Sequence, residues 1–183
     1  MFILYAIPFG LVAGILLRGR IEGLASVPFR WGGLAIAGLA VQLAIFGPLS
    51  DRIGSLGQLL YVASTAAVLA AVLRNIRIAG MALVAAGAAC NLVAILANGG
   101  RMPADPGALA TAGLAPDGGF SNSVVAADPA LRPLTDVFAL PAGVPLANVF
   151  SVGDVLIGVG IAVVIAALMR GQQAPLRPDN SYD

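Results

Sequence analysis

Five long apolar stretches dominate the pattern of hydrophobic and polar positions along the chain. They cover about residues 2–17, 32–47, 58–73, 78–98 and 152–169. Each ends at an arginine or at a glycine-containing turn, and each is close to the ~20 apolar residues that a transmembrane helix requires. The pattern therefore predicts an all-α polytopic membrane protein, in which residues 1–170 form a single domain built on a five-helix transmembrane bundle.

The composition supports this fold class and excludes several functions. The chain is 59% hydrophobic and 10% charged, whereas a soluble domain carries about 25% charged residues. It contains no histidine, so the commonest metal ligand is missing. The single cysteine, Cys90, excludes an internal disulfide and a cysteine cluster for zinc or iron–sulfur. We therefore expect no metal and no other cofactor, and the net charge of +1 gives no basic field for nucleic acid.

The arginines are distributed unevenly between alternate connections, which predicts an orientation in the membrane. Seven of the ten follow the first, third and fifth helices: Arg18, Arg20, Arg30, Arg74, Arg77, Arg170 and Arg177. The other three lie on the opposite side: Arg52, Arg101 and Arg132. Cytoplasmic connections carry the excess of basic residues in membrane proteins. The N-terminus is therefore predicted outside, and the C-terminus inside, a bacterial cytoplasmic membrane.

The connection 99–151 is the longest segment outside the apolar stretches, and this orientation places it outside the cell. It is rich in proline and glycine, yet it keeps apolar residues at regular intervals. Loops of this length are usually functional or disordered. The regular apolar residues favour an ordered cap over the outer mouth of the bundle, since a linker would be more polar. The tail 171–183 has no apolar pattern and is predicted to be disordered in the cytoplasm.

Asp154 is the residue with the clearest functional signal, because it lies one turn inside the last apolar helix. An ionisable residue at such a position is a functional-site hypothesis by default. We predict an outer-facing polar cavity around it, with Asp154 and Asp136 as candidate catalytic groups. Five residues on the same side are candidate substrate-binding groups: Asn91, Asn98, Arg101, Asn148 and Ser151. A purely structural role is the alternative, since the helix dipole favours a carboxylate in the first turn.

Two short motifs resemble lipoprotein signal peptidase, the bacterial aspartyl peptidase of the membrane. The run Gly87-Ala-Ala-Cys-Asn-Leu-Val-Ala-Ile95 is similar to its Gly-Ala-x-x-Asn-Leu-x-Asp-Arg motif. The run Phe150-Ser-Val-Gly-Asp154 is similar to its Phe-Asn-x-Ala-Asp motif, and residues 135–138 look like the Val-Asp-Phe that precedes it. The resemblance implies that helices two to five correspond to the four helices of that family. It also implies a catalytic role for Asp154.

The sequence departs from the peptidase pattern at the first catalytic carboxylate. Ala94 stands where that family has aspartate, Ile95 stands where it has arginine, and Ser151 replaces the asparagine of the second motif. Asp136 is the only plausible second carboxylate. The whole chain looks more like small bacterial membrane families without an assigned activity. The pattern Asn98-Gly-Gly-Arg-Met-Pro103, together with residues 148–160, suggests such a family.

Three functions therefore remain, and the sequence leaves open whether the protein is an enzyme. The first is a binding or accessory membrane protein with a polar outer cavity around Asp154. The second is a divergent aspartyl-type hydrolase acting on a lipid-anchored substrate, with Asp136 and Asp154 as its carboxylates. The third is a small transporter for a lipid or another solute. The expected partners are membrane lipids, a lipid-anchored substrate or a second copy of the chain.

Overall fold

A computed structural model describes residues 2–26, 29–114, 123–126 and 128–171. The protein is mostly helical, and the described residues contain six α-helices: α1 (Ala6–Leu16), α2 (Gly32–Ile45), α3 (Leu56–Arg74), α4 (Met81–Ala97), α5 (Pro106–Ala112) and α6 (Val152–Met169). Three 3-10 helices add short turns at Phe2–Tyr5, Ile21–Ser26 and Arg132–Leu134. The predicted disordered tail lies outside the described residues beyond Gly171.

Each of the five longer helices overlaps one of the five predicted apolar stretches, and α3 (Leu56–Arg74) extends beyond its stretch, 58–73, at both ends. The other ends differ by a few residues for local reasons. The first stretch begins as the 3-10 helix Phe2–Tyr5 before α1 starts. The second ends at Ile45, ahead of Gly47-Pro48, because the residue before a proline avoids the α conformation. The fourth begins at Met81, since Gly80 has φ +90° and cannot continue a helix.

Two of these helices are long and apolar enough to cross a membrane by length and composition. They are Leu56–Arg74, with 19 residues and a mean hydropathy of 1.9, and Val152–Met169, with 18 residues and a mean hydropathy of 2.5. The other apolar helical segments, Phe2–Leu16, Gly32–Ile45 and Met81–Ala97, are shorter. Helix length alone thus supports two of the five predicted spans.

The five longer helices pack side by side in the order α1, α6, α4, α3, α2. Glycines mark the contacts of α6 with α1 and with α4. Gly10 faces Ile165 and Gly14 faces Met169, so α1 and α6 run parallel. Gly80, just before α4, faces Gly160, and Gly87 of α4 faces Gly153 of α6. These two helices therefore run antiparallel.

The other half of the row also alternates in direction. Val72 of α3 packs with Met81 of α4, and at the opposite end Tyr61 packs with Ile95. The Gln42 amide of α2 donates to the Thr65 hydroxyl at 3.2 Å, which fixes α2 against α3 within the apolar interior. Consecutive long helices are therefore antiparallel from α1 to α6. This alternation places the end of α4 and the start of α6 at one end of the bundle, which we call the cap end.

The cap, residues 99–151, contains short strands that the all-α prediction did not include. Strand β1 (Met102–Ala104) pairs in parallel with β2 (Ser123–Val125), and Ala104 also forms a parallel bridge to Asp136. Strand β3 (Phe138–Ala139) pairs antiparallel with β4 (Val149–Phe150). Strands of two or three residues are too short to show a period-two alternation in the sequence.

A small apolar core holds the cap together. It consists of Ala104, Ala108, Leu109, Ala112 and Val149, all buried. Asp105 begins α5 by accepting hydrogen bonds from the backbone N–H groups of Gly107 and Ala108, at 3.0 and 3.2 Å. Arg132 donates to the same carboxylate at 3.0 Å, and this hydrogen bond lowers the pKa of Asp105. The described part of the cap is thus folded on its own core.

Candidate functional site at the cap end

Asp154 lies in the first turn of α6 as part of a capping box in which Ser151 is the N-cap residue. The Asp154 backbone N–H donates to the Ser151 hydroxyl at 3.0 Å, and the Ser151 backbone N–H donates to Asp154 Oδ2 at 3.1 Å. The spacing Ser-x-x-Asp produces this reciprocal pair, because the two side chains each reach a backbone donor that lacks a partner within the helix. The carboxylate also lies where the helix dipole favours negative charge.

Asn91 of α4 closes this pair into a network of three side chains. Asn91 Nδ2 donates to Asp154 Oδ1 at 2.8 Å, and the Ser151 hydroxyl donates to Asn91 Oδ1 at 2.8 Å. Both Asp154 oxygens therefore accept a hydrogen bond from the protein itself. Ser151 is fully buried, and Asn91 and Asp154 are half-buried. We call these three residues the carboxylate network.

The carboxylate network depends on a close approach of α4 and α6 at glycine. A Cβ added to Gly153 would overlap the Asn91 carboxamide and would lie 2.7 Å from the Gly87 carbonyl oxygen. A Cβ added to Gly87 would lie 2.9 Å from a side-chain atom of Ile157. Glycine at both positions lets the backbones approach, and this approach brings Asn91 within hydrogen-bonding distance of Asp154.

Asp136 belongs to the cap and is 4% exposed. Its backbone N–H donates to the Pro103 carbonyl at 3.0 Å, and its carbonyl accepts from the Asp105 N–H at 3.0 Å. These two hydrogen bonds fix Asp136 beside β1. Asp136 therefore reaches the cap end through the strand pairing of the cap, whereas Asp154 is held by helix packing.

Tyr61 of α3 packs against Ile95 of α4 and Met102 of the cap, and sequence reasoning did not select it. It therefore joins α3, α4 and the cap at the cap end. The Tyr61 ring packs edge-on against Phe46, with ring centroids 4.8 Å apart. A tyrosine in an apolar stretch looks like core from the sequence alone, so no sequence signal distinguishes this one.

The other predicted binding residues have different surroundings. Asn98 Nδ2 donates to the carbonyls of Ala94 and Ala130, at 2.8 and 2.9 Å, and its Oδ1 accepts from the Ala130 N–H at 2.9 Å. It therefore clamps the cap to the end of α4. Asn148 accepts the Leu140 N–H at its backbone carbonyl, at 2.8 Å. Arg101 is half-buried immediately before β1.

The chemistry available to this site is that of carboxylate, amide and hydroxyl groups. Within the described ranges, no three histidine, cysteine, aspartate or glutamate residues are grouped so that they could hold a metal ion. The carboxylate network can fix a helix start and a helix pair, and the exposed edge of Asp154 still has lone pairs that could accept a further donor.

These features define a mostly helical protein in which two helices are long and apolar enough for a membrane and a polar network joins α4 to α6 under a folded cap. The chain belongs to the DUF5317 family, a family of unknown function, which it matches over residues 26–166. The match covers α2, α3, α4, the cap and most of α6. It agrees with the prediction of an uncharacterised family.

No curated protein and no solved structure matches the chain. These comparisons therefore give no support to the resemblance to lipoprotein signal peptidase. The structure shows how two of the three departing positions are used here. Ala94 is 0% exposed and Ile95 is 1% exposed, and both pack with Met102 in an apolar cluster. The positions of that family's aspartate and arginine are thus core positions in this protein.

Proposed function

We propose that this protein spans the cytoplasmic membrane of a bacterium five times and acts as a binding or accessory protein through its external cap. One observation carries the choice of a non-catalytic role: both oxygens of Asp154 accept hydrogen bonds from Asn91 and Ser151. A carboxylate held in this way supports the helix pair below the cap. The ligand-binding surface is then the cap itself and the polar groups at its base.

The exposed faces of the helices support the membrane part of the proposal. Large apolar side chains are exposed on the two shorter helices at the ends of the row, including Phe9 at 68%, Leu16 at 77%, Ile36 at 70% and Leu43 at 70%. Water does not favour such large apolar patches, whereas lipid does. The alternating helix directions also place the start of α1 and the end of α6 at opposite ends of the bundle, which is consistent with five spans.

Labelling of single cysteines tests this topology. In a Cys90→Ala background, Ser55→Cys and Asp128→Cys should react with a membrane-impermeant maleimide in intact cells. Ala79→Cys, in the connection between α3 and α4, should react only after the membrane is permeabilised. All three positions are exposed in the structure, so a difference in labelling reports the side of the membrane. The cysteine-free chain is the control, and labelling of Ala79→Cys in intact cells would contradict the topology.

The proposed ligand is a phospholipid, or a lipid-anchored molecule that carries a phosphate group. It would be recognised at the base of the cap. Arg101 carries this part of the proposal, because it is a half-buried cation at the point where the chain leaves α4. A guanidinium group binds phosphate through two parallel hydrogen bonds. In the proposed orientation, the phosphates of outer-leaflet lipids lie at about the depth of Arg101.

A binding assay separates this role from hydrolysis. The purified protein in detergent should retain phosphatidylglycerol, as detected by native mass spectrometry, and should leave a diacylated lipopeptide uncleaved. Arg101→Gln should weaken retention about tenfold, because a charged hydrogen bond contributes about 1.5 kcal/mol. Arg170→Gln is the matched control, since Arg170 is exposed at the opposite end of α6. Equal retention by both variants would count against binding at the base of the cap.

Hydrolysis is the second candidate, because the buried Asp136 and the half-buried Asp154 both belong to the cap end. An aspartyl hydrolase needs two carboxylates that share one water, with one acting as base and the other as acid. If the protein is such an enzyme, the lipopeptide will be cleaved. Asp136→Asn and Asp154→Asn should then each abolish cleavage without altering the unfolding midpoint. We expect no cleavage by the wild-type protein.

A transporter is the third function, and the described helices do not favour it. The charged residues within α1–α4 and α6 are Arg74 and Asp154. Each lies in a terminal turn of its helix, whereas ionisable residues of transport pathways lie within the membrane.

A further inference from the structure

The hairpin formed by β3 and β4 carries an apolar tip that the proposed function does not use. Residues 140–147 read Leu-Pro-Ala-Gly-Val-Pro-Leu-Ala, without a charged or polar side chain. Residues 141–146 are all exposed, with Val144 at 36% and Leu146 at 50%. Hairpin tips in water are normally polar. We call this segment the apolar tip.

Most backbone N–H groups of the apolar tip are either absent, at proline, or hydrogen-bonded within the protein. Two of its eight residues are prolines, which have no N–H. Four of its N–H groups donate within the protein: those of Leu140, Ala142, Val144 and Ala147 donate to the carbonyls of Asn148, Thr111, Pro141 and Val144, respectively. Unsatisfied backbone groups are the main cost of placing irregular chain in lipid. These hydrogen bonds remove part of that cost.

Several contacts hold the apolar tip beside the cap end of α1. The Tyr5 hydroxyl donates to the Pro145 carbonyl. The Phe150 ring stacks on Phe2 with centroids 4.3 Å apart, and it also stacks on Phe138 at 5.5 Å. These rings tie the base of the hairpin to the segment that precedes α1. Tyrosine is enriched at the membrane–water interface, which is where the outer end of a spanning α1 would lie.

We infer that the apolar tip inserts into the outer lipid leaflet beside α1. The exposed apolar face of α1, which includes Ile7 at 46% and Phe9 at 68%, continues into the tip through the Tyr5 contact. The occupant is therefore lipid, at the boundary between headgroups and acyl chains. This inference rests on the proposed membrane topology, and it adds that the cap is anchored to the leaflet that it covers.

Fluorescence quenching in lipid vesicles tests the inference. In the Cys90→Ala background, Val144→Cys is labelled with an environment-sensitive dye, and the protein is reconstituted into phosphatidylcholine vesicles. Lipid that carries a quencher near the headgroup end of its acyl chain should reduce the emission about twofold or more, because a segment at the interface is buried to this depth. A dye at Asp128→Cys, on the exposed cap, should show no such quenching.

A third labelled site makes the outcomes distinguishable. Val12→Cys lies on the exposed face of α1, where Val12 is 54% exposed. Quenching at both Val12 and Val144 supports the inference. Quenching at Val12 without quenching at Val144 overturns it and leaves the membrane topology intact. Absence of quenching at both sites overturns the topology as well. Energy transfer between labelled copies at Val144 that increases with protein density would show contact with a second copy instead, which also overturns it.

Discussion

Gly153→Ala is expected to lower the free energy of unfolding by about 2–6 kcal/mol, a large loss for the addition of one methyl group. The new Cβ overlaps the Asn91 carboxamide and lies 2.7 Å from the Gly87 carbonyl oxygen. Overpacking of a tight contact costs about 1–3 kcal/mol. Displacement of Asn91 leaves buried polar groups without partners, which adds about 1–3 kcal/mol. Unfolding in mixed detergent micelles, followed by circular dichroism, measures the sum.

Gly33→Ala is the matched control for this experiment. A Cβ on Gly33 meets nothing within 4 Å, and Gly33 also lies in a long helix, α2. Alanine favours helix over glycine by up to about 1 kcal/mol, so this variant should be neutral or slightly more stable. If both variants change stability by the same amount, the close approach of α4 and α6 does not contribute as we argue.

The helices could be predicted from the sequence because their apolar stretches are long and end at clear stop signals. Their terminal residues could not all be predicted, since Met81 begins α4 only because Gly80 adopts a positive φ. The strands of the cap were missed for a different reason. Each consists of two or three residues, and β1 exists through residues outside its local sequence, namely β2 and Asp136. Such pairing leaves no local pattern.

The carboxylate network was partly readable from the sequence. A carboxylate in the first turn of an apolar helix needs a partner, and Ser151 and Asp154 have the spacing of a capping box. Asn91 was a candidate because it lies on the same side of the bundle. The clamp made by Asn98 depends on the carbonyl of Ala130, which only the folded cap brings near. The position of Tyr61 likewise depends on three elements packing together.

The second large effect is expected for Asp154→Ala, which should lower the free energy of unfolding by about 2–6 kcal/mol. The substitution removes the acceptor of Asn91 Nδ2 and of the Ser151 N–H. Each buried polar group left without a partner costs about 1–3 kcal/mol. The favourable position of the charge at the start of α6 is lost as well. Unfolding in mixed micelles, as for the glycine variants, measures the loss.

A double-mutant cycle with Asn91→Ala shows whether this loss comes from the carboxylate network. Once Asp154 is alanine, truncation of Asn91 no longer breaks their hydrogen bond. The double variant should therefore be less destabilised than the sum of the single variants, by about 1–3 kcal/mol. Asp51→Ala is the matched control, because Asp51 is exposed in the connection before α3. Its effect should lie within about 0.5 kcal/mol of zero.

Additive effects of Asn91→Ala and Asp154→Ala would contradict a network in which the two side chains stabilise each other. A coupling of the expected size would show that Asp154 acts on the packing of α4 against α6. It would also explain why a carboxylate can remain at the edge of an apolar helix without a catalytic partner at position 94. Asn91 and Ser151, which hydrogen-bond Asp154, then also stabilise the helix ends that carry the cap.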